Sequence, residues 1–298
     1  MIREKPQDFL SVLKSSVPDA RGLTGTGARN DYAEFFLEYQ TEDRPETEEV
    51  TIRDNLKGVW CTVHESVPDR VILFLHGGGF CVGSTEDHIG LCTQLARAAK
   101  ARVFSLDYRL SPENIFPAPV DDTLSAYGYL TSHNYLPHRI VPVGISTGGT
   151  LVLDLLLKLR EKNLPLPPAA VCMSPLVDMA FHGESVTANA DMDWLTVNHL
   201  HEIRTAYYAG HDIHDPLVSP LNANLSGFPP LYIQTGTNEI LYDDISAFAK
   251  KAKWAGVKVY FEIWEGMFHE WQLFGAEVPE AYQAVSRIGA FVQDIFSR

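Results

Sequence analysis

Short runs of β-branched and other apolar residues recur along the chain, and most are followed by a stretch whose apolar positions fall near i, i+3 and i+4. The runs are Val71 to Leu75, Ala101 to Leu106, Arg139 to Val143, Ala169 to Ser174, Pro230 to Gln234 and Val257 to Trp264, and they read as strands. Between them, Asp87 to Lys100, Val120 to His133, Thr150 to Asn163 and Asp243 to Ala255 read as helices, with Leu151, Leu155 and Leu159 marking the apolar face of the third. Strand and helix alternating in this way predict an α/β chain with a mostly parallel sheet flanked by helices. Proline clusters at Pro165, Pro167 and Pro168 and at Pro229 and Pro230 punctuate the chain just before two of the strands. Pro142 is discordant, because a proline in a central strand deletes a ladder donor.

Two segments break the alternation: residues 1 to about 50, and roughly Asp178 to Phe228, the latter rich in His, Asp, Trp and Tyr without strand character. Insertions of that length usually lie over the carboxyl ends of the strands, where ligands bind. Both are expected to form one lid over a core built from about 51–177 and 229–298.

At 298 residues, 45% hydrophobic and 21% charged, the chain has an ordinary globular composition, and it can bury a core without disulfides or a structural metal. Its formal net charge of −14 repels phosphate backbones and anionic headgroups, which argues against nucleic acid as a partner. Cys61, Cys81, Cys92 and Cys172 are widely spaced and read as buried thiols. Met1 to Val17 carries Glu4, Asp8 and Lys14, unlike a secretory signal, and no run approaches the ~18 apolar residues of a membrane span. A cytoplasmic location is the expectation.

The sharpest chemical signal is Gly144-Ile145-Ser146-Thr147-Gly148, a G-x-S-x-G pentapeptide between a strand and a helix. An ordinary Ser/Gly turn could have this composition. Its placement favours a nucleophile elbow, whose turn is tight enough that Gly144 and Gly148 must lack side chains while the Ser146 hydroxyl stays exposed. The second signal is His76-Gly77-Gly78-Gly79-Phe80 after the strand ending at Leu75, where glycines allow backbone amides to converge on a developing oxyanion. Phosphate binding would call for G-K-[ST] or G-x-G-x-x-G, and neither follows.

A hydroxyl nucleophile needs a base, and the base an orienting acid. In strand-turn-helix elbows the order is serine, acid, histidine. Of the histidines after Ser146, five lie in the expected lid, and His269 follows the strand Val257 to Trp264. The acid should follow the strand Pro230 to Gln234. Asp243 and Asp244 stand where a helix begins, which capping explains, so Glu239 is the choice and Asp243 the reserve. His199 and His201 would diverge on a helix, so no metal site is expected.

Together these residues resemble the hormone-sensitive-lipase-like family of α/β-hydrolases, the bacterial family IV esterases. The resemblance runs from about Val71 to the C-terminus through the glycine loop, Asp107-Tyr108-Arg109-Leu110, Pro112-Glu113, Phe116-Pro117-Ala118, the serine elbow, Ser174-Pro175 and Gly266-Met267-Phe268-His269. It implies an α/β-hydrolase fold with a helical lid and cofactor-free hydrolysis of carboxylic esters. It also implies oxyanion donors at Gly78, Gly79 and Thr147, and scaffold ion pairs from Arg109, Glu113 and Asp121. Ile145 and Thr147 depart from the Asp and Ala usual beside the family's serine, and Glu239 from the commoner Asp. The expected protein is a single-domain carboxylesterase for uncharged esters of short or medium acyl chain, with Ser146, His269 and Glu239 catalytic, Phe80 and Trp194 as pocket walls, and neither cofactor nor metal. An amidase, deacetylase or lactonase would use the same constellation, and a receptor that had lost turnover is the alternative from another class.

Overall fold

The structure, a computed structural model, describes residues 6–16, 22–25, 27–39 and 43–298. Eight strands form one sheet: β1 (Glu46–Arg53), β2 (Leu56–Thr62), β3 (Val67–Leu75), β4 (Ala101–Asp107), β5 (Ile140–Ile145), β6 (Ala170–Met173), β7 (Leu231–Gly236) and β8 (Val259–Trp264). Their order is β1-β2-β4-β3-β5-β6-β7-β8. The β1–β2 and β2–β4 pairs are antiparallel and every other pair is parallel.

Successive side chains of a strand point to opposite faces, and the sheet is buried on both. Val71, Leu73 and Leu75 of β3 join one hydrophobic cluster with α4 (Ala118–Ser132), α5 (Thr147–Glu161) and α8 (Tyr242–Trp254). Ile72 and Phe74 join the other, with α3 (Ile89–Ala99) and α9 (Pro279–Phe296). Residues buried on both sides leave no polar alternation, which is why the central strands read as plain apolar runs.

Three elements were not anticipated from the pattern, β1, β2 and the C-terminal helix α9. The β1–β2 hairpin opens the sheet, and because β1 begins at Glu46, the sheet reaches into the segment expected to be lid up to about residue 50. β1 is an edge strand whose first four residues are all exposed, and its apolar stripe is only Val50 and Ile52. The C-terminal helix α9 closes one face. The discordant proline also has a local explanation: the Ser146 N–H donates to Met173 O of β6 at 2.9 Å. By the two-residue alternation the nitrogen of Pro142 faces the same neighbour, and β6 pairs with β5 only from Val143 onward, so no ladder bond is lost.

The N-terminal helices α1 (Pro6–Ser16) and α2 (Ala28–Leu37) pack through Phe9, Leu10, Leu13, Tyr32, Phe35 and Phe36 onto the α3–α9 side. The insertion between β6 and β7 carries α6 (Ser185–Ala188), α7 (Val197–Ile203) and a π-helical turn at Arg204–Tyr208, and covers the carboxyl ends of the strands.

Candidate active site

Ser146 sits between the last residue of β5 and the first of α5 with φ 51° and ψ −122°. The turn is closed so tightly that a Cβ on Gly144 would lie 2.2 Å from Gly148 O, and one on Gly148 would lie 2.0 Å from Leu75 O. No side chain fits at either position, which is the physical content of the G-x-S-x-G spacing. Strand β5 thus hands the serine to the helix with its hydroxyl turned out of the sheet.

Ser146 Oγ lies 2.9 Å from His269 Nε2, and His269 Nδ1 lies 3.1 Å from Glu239 Oε2. Three elements converge here: the β5–α5 turn, the loop after β7 and the loop after β8. The other oxygen of Glu239 accepts from Gly236 N–H at 2.5 Å, Ser174 Oγ at 2.9 Å and Thr235 Oγ1 at 3.2 Å. Burial pushes the Glu239 carboxyl up to about 8, while those donors pull it back. Asp243 is engaged elsewhere: its Oδ2 accepts from Ser185 N–H at 2.8 Å and its own N–H donates to Ser185 Oγ at 3.1 Å. It ties α8 to the insertion.

The glycine loop lies beside the elbow. Gly78 and Gly79 turn through left-handed backbone, with φ 104° and 64°. Tyr108 Oη donates to His76 O at 2.9 Å and Gly77 N–H donates to His88 Nε2 at 3.4 Å, fixing the loop from below. Burial pushes His76 down to about 4 and His88 down to about 3, so both rings are neutral supports. Thr147 opens α5, where a helix N–H has no intrahelical acceptor.

Trp194 and Phe80 part company. Trp194 lines a cavity of about 30 Å³ with Leu23, Tyr32, Phe35, Phe36 and Val82, and its ring lies 5.9 Å from that of His269. Phe80 is not among the residues lining that cavity. It is fully buried and stacks on Tyr207 of the insertion with ring centroids 3.8 Å apart. The expected ion pairs also need one correction: Arg109 forks onto Asp122, not Asp121, at 2.8 to 3.1 Å, because Asp122 is the residue of α4 turned inward. Glu113 pairs with Arg29 at 2.6 Å near the surface.

Sequence reasoning passed over three residues here. Asp193, fully buried, accepts from the backbone N–H groups of His269 and Ile240, both at 2.9 Å. Asn189 donates to the carbonyls of Thr237 at 2.9 Å and Glu239 at 2.8 Å. Glu270 follows His269 in left-handed backbone with its Oε1 buried and without a partner, and burial pushes its carboxyl up to about 7. Contacts to backbone leave no residue-type signature, so the only signal was the richness of the insertion in Asp. His199 forms a capping box with Thr196 at the start of α7. Among the described residues no group of three or more His, Cys, Asp or Glu could hold a metal ion, and no helix is long and apolar enough to cross a membrane.

A family model for the alpha/beta hydrolase fold matches residues 72–273. An acetyl-hydrolase of Streptomyces hygroscopicus is 41% identical over 225 residues, 75% of each chain. An esterase of Acinetobacter venetianus is 36% identical over 76% of this chain and 75% of its own. The crystal structure of an esterase from the bacterial hormone-sensitive lipase family superposes with a TM-score of 0.93 at 39% identity, covering 99% of this chain and 100% of the other. With this fold, this elbow and this extent of likeness, the chain belongs to the α/β-hydrolases, in the bacterial hormone-sensitive-lipase-like family.

Proposed function

We propose that the protein is a carboxylesterase that cleaves uncharged esters of short to medium acyl chain through an acyl-enzyme on Ser146. The observation that carries this reading is the continuous line from Ser146 Oγ through His269 to Glu239, at 2.9 and 3.1 Å. Ser146 attacks the acyl carbonyl as its proton passes to His269 Nε2. Glu239 holds the Nδ1–H tautomer and offsets the charge of the imidazolium. The N–H groups of Gly78, Gly79 and Thr147 stabilise the oxyanion, and His269 returns the proton to the departing alcohol. Water then repeats the sequence on the acyl-enzyme. No cofactor enters these steps.

The acyl group is assigned to the apolar side of the site, where Trp194, whose ring lies 5.9 Å from that of His269, walls a small cavity with Phe35, Phe36 and Val82. We read the chain as a single α/β-hydrolase domain, its lid formed by the N-terminal segment and by residues 178–228. Four buried cysteines without disulfide partners support a reducing, cytoplasmic setting. The test is a series of p-nitrophenyl esters from acetyl to octanoyl, run on the wild type and on Ser146→Ala, with mass spectrometry of the adduct formed by an organophosphonate. Activity confined to the wild type and a single adduct at Ser146 support the assignment. Activity in the alanine variant, or an adduct elsewhere, overturns it.

A further inference from the structure

One short stretch of the insertion, residues 189–194, holds both loops on which the proposed acid and base stand, and it holds them by the main chain. Asp193 Oδ1 accepts from His269 N–H at 2.9 Å, from Trp194 N–H at 2.8 Å and from Leu195 N–H at 3.4 Å. Its Oδ2 accepts from Ile240 N–H, the peptide directly after Glu239, at 2.9 Å. Trp194 Nε1 donates to His269 O at 2.6 Å, so the peptide groups on both sides of the base are tied to adjacent residues of the insertion. Asn189 completes the set on the acid loop through the carbonyls of Thr237 and Glu239.

A fully buried carboxylate is costly to desolvate, and no cation among the described residues is bonded to this one. Burial and the neighbouring Glu239 push Asp193 up, while His269 and the amides pull it down. Glu270, the remaining acid nearby, feels the charges of Asp193, Glu239 and His269 in turn. If the insertion needed only to adhere, apolar contacts such as those of Leu200 and Ile203 would suffice at lower cost. A carboxylate adds what they cannot: two rigid oxygens that fix one backbone N–H from each loop at a set separation. We infer that Asp193 is a positioning residue, which sets the distance between the Glu239 loop and the His269 loop and makes the geometry of the base depend on the seated insertion. The inference rests on the reading of Ser146, His269 and Glu239 given above.

The experiment uses the full chain carrying Asp193→Asn, with Trp194→Phe and Asn189→Ala as variants that leave the buried charge in place. The amide that replaces the carboxylate can keep one oxygen on the three N–H groups now shared by Oδ1, but it then turns its own N–H toward Ile240 N–H, which releases the acid loop. For Asp193→Asn, kcat on p-nitrophenyl butyrate should fall at least tenfold with KM within twofold, and the rate of phosphonylation at Ser146 should fall by the same factor, since that reaction uses the same base. Trp194→Phe and Asn189→Ala should each lower kcat about threefold with the same split. A merely adhesive role would raise KM and lower the melting temperature while sparing kcat. Wild-type kcat and phosphonylation in Asp193→Asn, alongside an inactive Ser146→Ala, overturn the inference and leave the triad standing; activity in Ser146→Ala overturns both. Should Asp193→Asn not fold, wild-type kcat in Asn189→Ala overturns the inference, and the split in that variant, whose side chain touches only the acid loop, upholds it.

Discussion

Replacing Glu270 by glutamine should stabilise the protein at pH 8 and do little at pH 4.5. The carboxyl is buried beside the carboxyls of Glu239 and Asp193 and beside His269, and its charge is also felt by Tyr32 and Tyr108. Its Oε1 has no partner and lies 2.0 Å from where a Cβ on Gly77 would stand. Burial raises its folded value from 4.5 to about 7. Between those two values the folded chain keeps a proton that the unfolded chain releases, so stability falls as pH rises through the window and is level outside it. A shift of that size corresponds to about 3 kcal/mol, or a melting temperature difference of about 5 °C for a chain of this length. Glutamine keeps the shape of the protonated side chain and removes the titration. Melting curves of both proteins at half-unit steps from pH 4.5 to 8.5 provide the assay, read as the difference between them. That difference cancels the background slope from other acids that burial raises, such as Asp244 and Asp87. Parallel curves, or a variant that loses ground as pH rises, would refute the reasoning.

Glu239→Gln should lower kcat by about 10³ to 10⁴ by favouring the wrong imidazole tautomer, with Glu239→Asp partly active and Asp243→Asn losing only about 1 kcal/mol of stability; steady-state kinetics and urea melts of the three separate these effects. Gly148→Ala drives a Cβ into Leu75 O and should cost about 3 kcal/mol along with most activity, read by urea denaturation. Deleting residues 1–30 removes Leu23 and Ala28 from the cavity wall, and the octanoyl-to-acetyl ratio of kcat/KM should rise by more than total activity falls.

What was legible in the sequence follows from the physics at each place. Strands buried on both faces announce themselves by composition, so β3, β4, β5 and β7 were found within a few residues. The elbow was legible because only glycine fits at Gly144 and Gly148, which leaves a fixed mark on the sequence. His269 and Glu239 could be chosen from chain order once the strands were placed. β1 was missed because a solvated edge strand carries too short an apolar stripe, here only Val50 and Ile52, and the ion-pair partner was misjudged by one residue because adjacent aspartates on a helix differ only in which way they turn. Asp193 escaped because its partners are peptide groups, which every residue supplies. Phe80 escaped for the opposite reason, since nothing about a phenylalanine beside a glycine loop says whether it faces a ligand or a tyrosine from an insertion far along the chain.

The acidic edge strand has a consequence for the protein in a crowded solution. An open sheet edge is a template on which another chain can add a strand, and growth by that route ends in aggregates. Along β1, Glu46, Glu48 and Glu49 stand exposed on the outermost strand, with Lys57 of β2 paired to Glu49 at 2.8 Å. A second copy adding to this edge would bring three more exposed glutamates to an already acidic margin, on top of the mutual repulsion of two chains each carrying −14. The poor apolar content that hid this strand is also its protection: a charged margin is a poor template for a further strand.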